Sequence, residues 1–216
     1  MAAVLEAAGP GPGSALDVGM GPGRLCEALA ATAWTVSGVD ASAQMVHAAR
    51  ERLPGAADRL LQGYIESVPF PDAVFDLVTA TGVIEYSDPR VAIAEIARVV
   101  RPGGLAVISY PNPAAAYGLW KSRVWYPGVR ILKRAAGVPH HQPRGGRPVA
   151  PRRLQAILAT SGLALSSTTY AGYMILPTPF DSALPTVAVL LARTAERRRV
   201  AAPVLGTQIV YAARKR

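Results

Sequence analysis

The stretch Ala15-Leu16-Asp17-Val18-Gly19-Met20-Gly21-Pro22-Gly23 decides how this chain is read. Ala15 to Val18 is an apolar run carrying one acid, the pattern of the end of a buried strand. Three glycines follow at alternate positions, Gly19, Gly21 and Gly23. Arg24-Leu25-Cys26-Glu27-Ala28-Leu29-Ala30 then reads as a helix reaching about Ala31. Strand, glycine turn and helix make a place where a ligand touches backbone. Glycine allows this because it lets the chain turn sharply and come close to the ligand.

On the N-terminal side, Val4 to Ala8 reads as a short helix, ended by glycines and prolines before the first strand at 15–18. On the other side, Thr35 to Asp40 is a second strand ending on an acid. Ser42 is placed to cap a helix that holds Met45, Val46, Ala49 and Arg50. Leu60 to Tyr64 suits a third strand, and Pro69-Phe70-Pro71 a stiff turn. Asp76 to Thr81 suits a fourth, buried strand. The spacing predicts a helix from about Arg90 to Val100, with Val91, Ile93, Ile96, Val99 and Val100 on its apolar side. Arg101-Pro102-Gly103-Gly104 should stop it, and Leu105 to Tyr110 is the fifth strand. Strands and helices alternating at this spacing imply an α/β chain, a mostly parallel sheet covered on both faces. Ligands in such sheets bind outside the carboxyl ends of the strands. After residues 114–150 the rhythm resumes, with a helix over Pro151 to Ser161, a strand over Leu163 to Tyr170, a helix over Ser182 to Arg197 despite Pro185, and a closing strand over Thr207 to Ala212.

The 216 residues suffice for a full core, and half of them are apolar against 17% charged. One cysteine, Cys26, rules out an internal disulfide and reads as a small buried residue. No stretch has the uncharged length of a membrane span, and no secretory signal is read at the N-terminus, so the expected location is cytoplasmic. The net charge of +9 is uneven. Residues 1–95 hold five basic and twelve acidic side chains, whereas residues 96–216 hold eighteen basic and only Asp181 and Glu196 as acids. Such asymmetry attracts nucleic acid, an anionic membrane face or an acidic substrate, and it also arises as plain composition bias.

Three ligands compete for the glycine turn. A nucleoside triphosphate loop needs a lysine and then a hydroxyl residue after the glycines, and neither is present. A nicotinamide site needs G-x-G-x-x-G, whereas the spacing here is G-x-G-x-G, and Asp17 would repel a pyrophosphate. Asp17 instead suits an amino group or a positive charge. Asp40, ending the second strand, suits two ribose hydroxyls. An amino acid joined to adenosine, S-adenosylmethionine, meets both demands.

At this point residues 15–112 resemble the core of the class I S-adenosylmethionine-dependent methyltransferases, of the small-molecule branch. Asp17 to Gly23 matches the glycine motif, and Val39-Asp40-Ala41-Ser42 with Met45 the ribose-acid segment. Gly63 to Phe70 matches the adenine side. Phe75 to Val78 with Gly82-Val83-Ile84-Glu85-Tyr86 matches the fourth strand and its loop, and Val100 to Gly104 the turn before strand five. The resemblance implies a Rossmann-like single domain over 1–216, with a seven-stranded, mostly parallel sheet and an inserted lid at 114–150. It implies that Gly19, Met20, Gly21 and Gly23 lie beside the methionine part of the cofactor and Asp17 near its amino group. Asp40 holds the ribose, flanked by Ala41 and Met45. Tyr64, Ile65 and Glu66 lie on the adenine side, and Thr81 and Gly82 at the mouth near the sulfonium. Tyr64 departs from the family, which often has aspartate there. The residues also leave plainer roles open: Asp17 bonding the glycine loop, Met45 in the core, and His47 on the surface.

Methyl transfer is a direct displacement, so orientation supplies much of it, and a hydroxyl acceptor also needs a base. The candidate catalytic residues are His140, His141 and Tyr86; Tyr86, Tyr110, Tyr117, Trp120 and Tyr173 are candidate acceptor contacts. No metal site is expected, since no cysteine cluster or H-E-x-x-H is present. The chain also resembles the quinone-pathway O-methyltransferases. Glu85 matches one glutamate of their metal loop, but Thr81 and Tyr86 stand where its other ligands would be. Residues 117–135 interleave aromatic and basic side chains. They read as a lid over an apolar acceptor, as a peripheral membrane contact, or as packing, with Pro127-Gly128 breaking them into two pieces. A small-molecule acceptor and O-methylation are favoured. An amino-base methyltransferase would carry Asn/Asp-Pro-Pro-aromatic after strand four, where Thr79-Ala80-Thr81-Gly82-Val83 stands, and Cys26 is misplaced for cytosine chemistry. Nucleic acid is therefore disfavoured. An RNA or ribosomal-protein methyltransferase and a non-catalytic scaffold are the alternatives, and monomer and homodimer both stay open.

Overall fold

A computed structural model describes residues 1–135, 149–176, 180–198 and 201–216. The helix expected near the N-terminus is α1 (Ala2–Ala8). The strands are β1 (Gly13–Val18), β2 (Trp34–Asp40), β3 (Leu60–Gln62), β4 (Phe75–Thr81), β5 (Val100–Pro111), β6 (Leu163–Tyr173) and β7 (Gly206–Lys215). They form one seven-stranded sheet in the order β3-β2-β1-β4-β5-β7-β6. The pairs β1–β2, β1–β4, β2–β3 and β4–β5 are parallel. The chain leaves β1 for β2 and β3 on one side and returns to β4 on the other. The carboxyl end of β1 is therefore the switch point where such sheets take ligands.

Covering helices are α2 (Arg24–Ala30), α3 (Ala43–Arg52), α4 (Pro89–Val99) and α7 (Pro151–Thr160). The central strands are nearly continuous apolar runs because both faces are covered: Leu16, Val18, Leu77, Val78, Ala80, Val107 and Ile108 are all buried. Ser42 caps α3 as expected, its hydroxyl accepting from the Met45 N–H. Asp88 caps α4 by accepting from the Arg90 N–H at 2.8 Å, with Pro89 opening the helix.

Several expectations shift. Val91 is exposed; the buried face of α4 is Ala92, Ile93, Ile96, Ala97 and Val99, because the helical repeat sets Val91 on the far side. Strand β5 begins at Val100 rather than Leu105, since Val100 already pairs with Phe75 ahead of a register shift. Gly104 permits this: a Cβ there would come within 3.1 Å of the Asp76 carbonyl oxygen. Strand β3 stops at Gln62.

The polypeptide divides into two compact units. The first comprises residues 1–110, 149–169 and 210–216, and the second residues 111–148 and 170–209. In the second unit, α5 (Ala116–Trp120), a π turn (Lys121–Trp125) and α6 (Tyr126–Ala135) follow one another directly. Pro127 does not split this segment as expected. It lies inside a helical run that is continuous from Ala116, two residues after the π turn. The widened turn just before it relieves the ring's clash with the preceding carbonyl. Pro185 does break the other expected helix, into α8 (Phe180–Ala183) and α9 (Pro185–Arg198), because proline suits a first turn. The short α10 (Ala202–Leu205) precedes β7, and Asn112 donates to the Pro203 and Gly206 carbonyls at 2.9 and 2.7 Å. No helix among the described residues is long and apolar enough to cross a membrane.

Candidate cofactor site

A cavity of about 270 Å³ lies at the carboxyl ends of the first two strands. Its walls are Val18 and Gly19 after β1, Val39, Asp40 and Ala41 at the end of β2, and Gly63 to Glu66 after β3. Val83, Tyr86 and Ser87, in and beside a short 3-10 turn (Ile84–Tyr86) after β4, close it. Of the expected cofactor residues, Gly19, Asp40, Ala41, Tyr64, Ile65 and Glu66 line it, and so does Tyr86.

The glycine turn is held by the second strand. The N–H groups of Gly19 and Met20 both donate to the Val39 carbonyl, at 2.8 and 3.1 Å. Gly21 donates to Asp40 Oδ2 at 2.8 Å, while Asp40 Oδ1 accepts from the Ser42 N–H at 2.9 Å. Gly19 and Gly21 have φ of +74° and +51°, a left-handed conformation that favours glycine. A Cβ on Gly19 would also lie 2.8 Å from Val83. Each Asp40 oxygen thus spends one lone pair on the turn and keeps another for a ligand donor. The Met20 side chain turns away, buried against Gly38.

Asp17 is enclosed behind the turn. It is 1% exposed, and its Oδ1 accepts from the Thr79 hydroxyl at 2.8 Å, with the Cys26 thiol at 3.8 Å from Oδ2. Thr79 is its direct partner in the β1–β4 register. Burial is the chief cause that raises its carboxyl to about 7, and Asp40 adds repulsion. Cys26 is buried, as its sequence position suggested. Gly23 caps α2 at φ +79°, Met45 is half-buried in α3, Thr81 ends β4 and Gly82 follows it; none of these lines the cavity.

Two of the expected acceptor residues belong to the first unit and three to the second. Tyr86 is 71% exposed beside the cavity. Tyr110 is buried, and its hydroxyl accepts from the Val149 N–H at 2.9 Å. Tyr117 and Trp120 line a cavity of the second unit, where Tyr173 is buried. His140 and His141 lie outside the described residues. His47 is a surface side chain facing Glu51. No group of three or more metal-binding side chains occurs among the described residues.

Sequence reasoning did not assign Val83 or Ser87 to the site, and it weighed Glu85 only against a metal loop. Val83 and Ser87 line the cavity, which their place in the loop after β4 signals. Glu85 has a buried Oε2 with no hydrogen-bond partner among the described residues, and burial raises its carboxyl. Its Oε1 faces Gly82.

Residues 16–108 match the methyltransferase domain family. That stretch spans β1 to β5 and every wall of the cavity. The fold is that of a class I methyltransferase. Among curated proteins, an uncharacterised methyltransferase of Mycobacterium tuberculosis is 35% identical over 126 residues, 57% of this chain and 64% of the relative. A malonyl-[acyl-carrier protein] O-methyltransferase of Enterobacter lignolyticus is 37% identical over 101 residues, 46% of this chain and 39% of the relative. This chain therefore spans just under two thirds of the length of the first of these relatives. Among solved structures, the YcgJ protein of Bacillus subtilis superposes with a TM-score of 0.63 at 22% identity, covering 100% of this chain and 97% of that one. The residues present fit S-adenosylmethionine: a carboxylate with spare acceptor sites, a bare backbone turn, and the buried Ile65 as an apolar wall.

Proposed function

We propose that this chain transfers a methyl group from S-adenosylmethionine to an oxygen of a small apolar or aromatic metabolite. The observation that carries the reading is Asp40, clipped between the glycine turn and Ser42 at the sheet's switch point. Its remaining lone pairs would take the ribose hydroxyls. Gly19 would leave backbone beside the methionine part, and Ile65 would supply the adenine's apolar wall, with Tyr64 and Glu66 next to it. Asp17, behind the turn, would lie near the amino group of the ligand. The bound cofactor supplies a methyl group already activated by positive sulfur. A hydroxyl acceptor would give up its proton in such a transfer, and a base on this chain would have to take it.

Glu85 is our choice for that base. Its unpartnered oxygen and raised pKa suit a base better than a solvated carboxylate would. Tyr86, at the cavity edge, would orient the acceptor, and His140 and His141 are the competing bases. A peripheral membrane contact through 117–135 suits a lipid-like acceptor.

Calorimetric titration with S-adenosylhomocysteine tests the cofactor half. Asp40→Ala should weaken binding at least 30-fold, about 2 kcal/mol for charge-assisted hydrogen bonds lost together. A wild-type chain that gives no saturable binding sinks the enzyme reading in favour of a scaffold. Transfer of label from [methyl-3H]S-adenosylmethionine to organic-extractable metabolites tests the acceptor half, with label in RNA or ribosomal protein as the opposing outcome. Glu85→Gln should lower that transfer by about a hundredfold or more while leaving S-adenosylhomocysteine affinity unchanged.

A further inference from the structure

The net charge of this protein resides in its second unit. That unit carries eleven lysines and arginines against Asp181 and Glu196, whereas the first carries twelve basic and twelve acidic side chains. The same unit holds two apolar cavities that meet at Met174-Ile175. One, of about 270 Å³, is walled by Tyr117, Trp120 and Leu205. The other, of about 220 Å³, is walled by Leu176 and the α9 residues Ala188, Val189 and Ala192. Their polar junction is already satisfied. Tyr117, from the first cavity, donates to Asp181 Oδ2 in the second at 2.6 Å, and Asp181 Oδ1 accepts from the Ser182 N–H at 2.8 Å.

We propose that the second unit binds a single-chain amphiphile, its apolar tail in the paired cavities and its anionic head, a carboxylate or phosphate, on Arg193. The lining selects the tail. Among the described residues the lining is mostly leucine, isoleucine, alanine, valine, proline and aromatic faces, with Asp181 and Ser182 as its polar members, and the Met174 thioether adapts to an irregular chain. The rim selects the head. Val189 both lines the second cavity and stands half in solvent, so the cavity opens beside α9. Arg193, one turn further along α9, is exposed and borders the adjoining depression with Pro185 and Val189. A cationic head would find only Asp181, committed to Tyr117 and Ser182, and Glu196. An anionic head meets Arg193, in a unit whose charged residues are mostly basic. The site deepens the reading of an apolar acceptor and rests on it.

The experiment uses the full chain and decanoate, decyl phosphate and decanol below their micelle concentrations, followed by calorimetry. Decanoate and decyl phosphate should bind saturably and at least fivefold tighter than decanol at low salt, with the advantage lost in Arg193→Gln. Their relative affinities separate a carboxylate from a phosphate head. Ala188→Phe and Ala192→Phe, which fill the second cavity from two positions, should each weaken decanoate at least tenfold. S-adenosylhomocysteine affinity and melting temperature should stay at the wild-type values. Absence of saturable binding, equal affinity for decanol, or undiminished affinity in both filled variants overturns the proposal. So does binding to phosphatidylglycerol vesicles without binding to soluble decanoate, which would place the attraction on the surface. S-adenosylhomocysteine titration reads the first unit's cavity, so failure here and failure of the cofactor reading are distinguishable.

Discussion

Asp17 and Asp40 are both acids near the ends of parallel strands, and their surroundings divide the work between them. Asp40 keeps two backbone donors and open lone pairs at the cavity. Asp17 is enclosed by Thr79 and Cys26. Enclosure makes Asp17 a pH-dependent liability. Its carboxyl rises from an ordinary 3.8 to about 7, so between those values the folded chain holds a proton that the unfolded chain releases. Stability from this group is therefore full at low pH and is lost as pH rises from about 4 to 7, by an amount on the order of a few kcal/mol. Asp17→Asn keeps an acceptor for Thr79 and has no charge to bury. In thermal melts it should exceed the wild type by several degrees at pH 8 and match it near pH 4. A gap that is absent, or larger at acid pH, refutes the account.

Among the elements, the wall carrying Ile65 and Glu66 depends on a helix it does not belong to. Arg98, near the end of α4, donates to the Val68 and Phe70 carbonyls, both at 2.9 Å, and to Asp72 and Glu95. Glu95 in turn accepts from the Val68 N–H at 3.1 Å. The segment after β3, with little secondary structure of its own, is thereby pinned to α4. Arg98→Ala should lower the melting temperature by about 5–10 °C, as a loss of about 2–3 kcal/mol in a chain this size. S-adenosylhomocysteine affinity should also fall a few-fold in the same variant. An unchanged melting temperature would mean that the segment holds itself.

For the whole molecule, the division of charge matters more than its sum. The first unit balances its charges, with Arg52–Glu27, Arg98–Asp72 and Arg101–Asp76 among its ion pairs. In the second, Arg123, Arg130 and Arg134 are exposed on the π turn and α6. Exposed charges of this kind contribute little to folding. Replacing all three by glutamine should move stability and S-adenosylhomocysteine affinity by no more than about 0.5 kcal/mol. It should also bring elution from a cation exchanger to distinctly lower salt. A collapse in melting temperature would assign these arginines to the fold instead.

Local pattern alone determined the alternating α/β order, the Ser42 cap, the glycine turn and the choice of Asp40. Each depends on residues a few positions apart or on the burial of a continuous apolar strand. The chain could not announce that Asp17 and Thr79 would be register partners, 62 positions apart, or that Val91 would face outward. Nor could it announce that Pro127 would sit inside a continuous helical run rather than break it. Only the tertiary structure decided the 3-2-1-4-5-7-6 strand order, the unpartnered oxygen of Glu85 and the gathering of the whole excess of positive charge into one unit. Burial, strand register and unit membership arise from contacts between distant segments, and no local spacing encodes them.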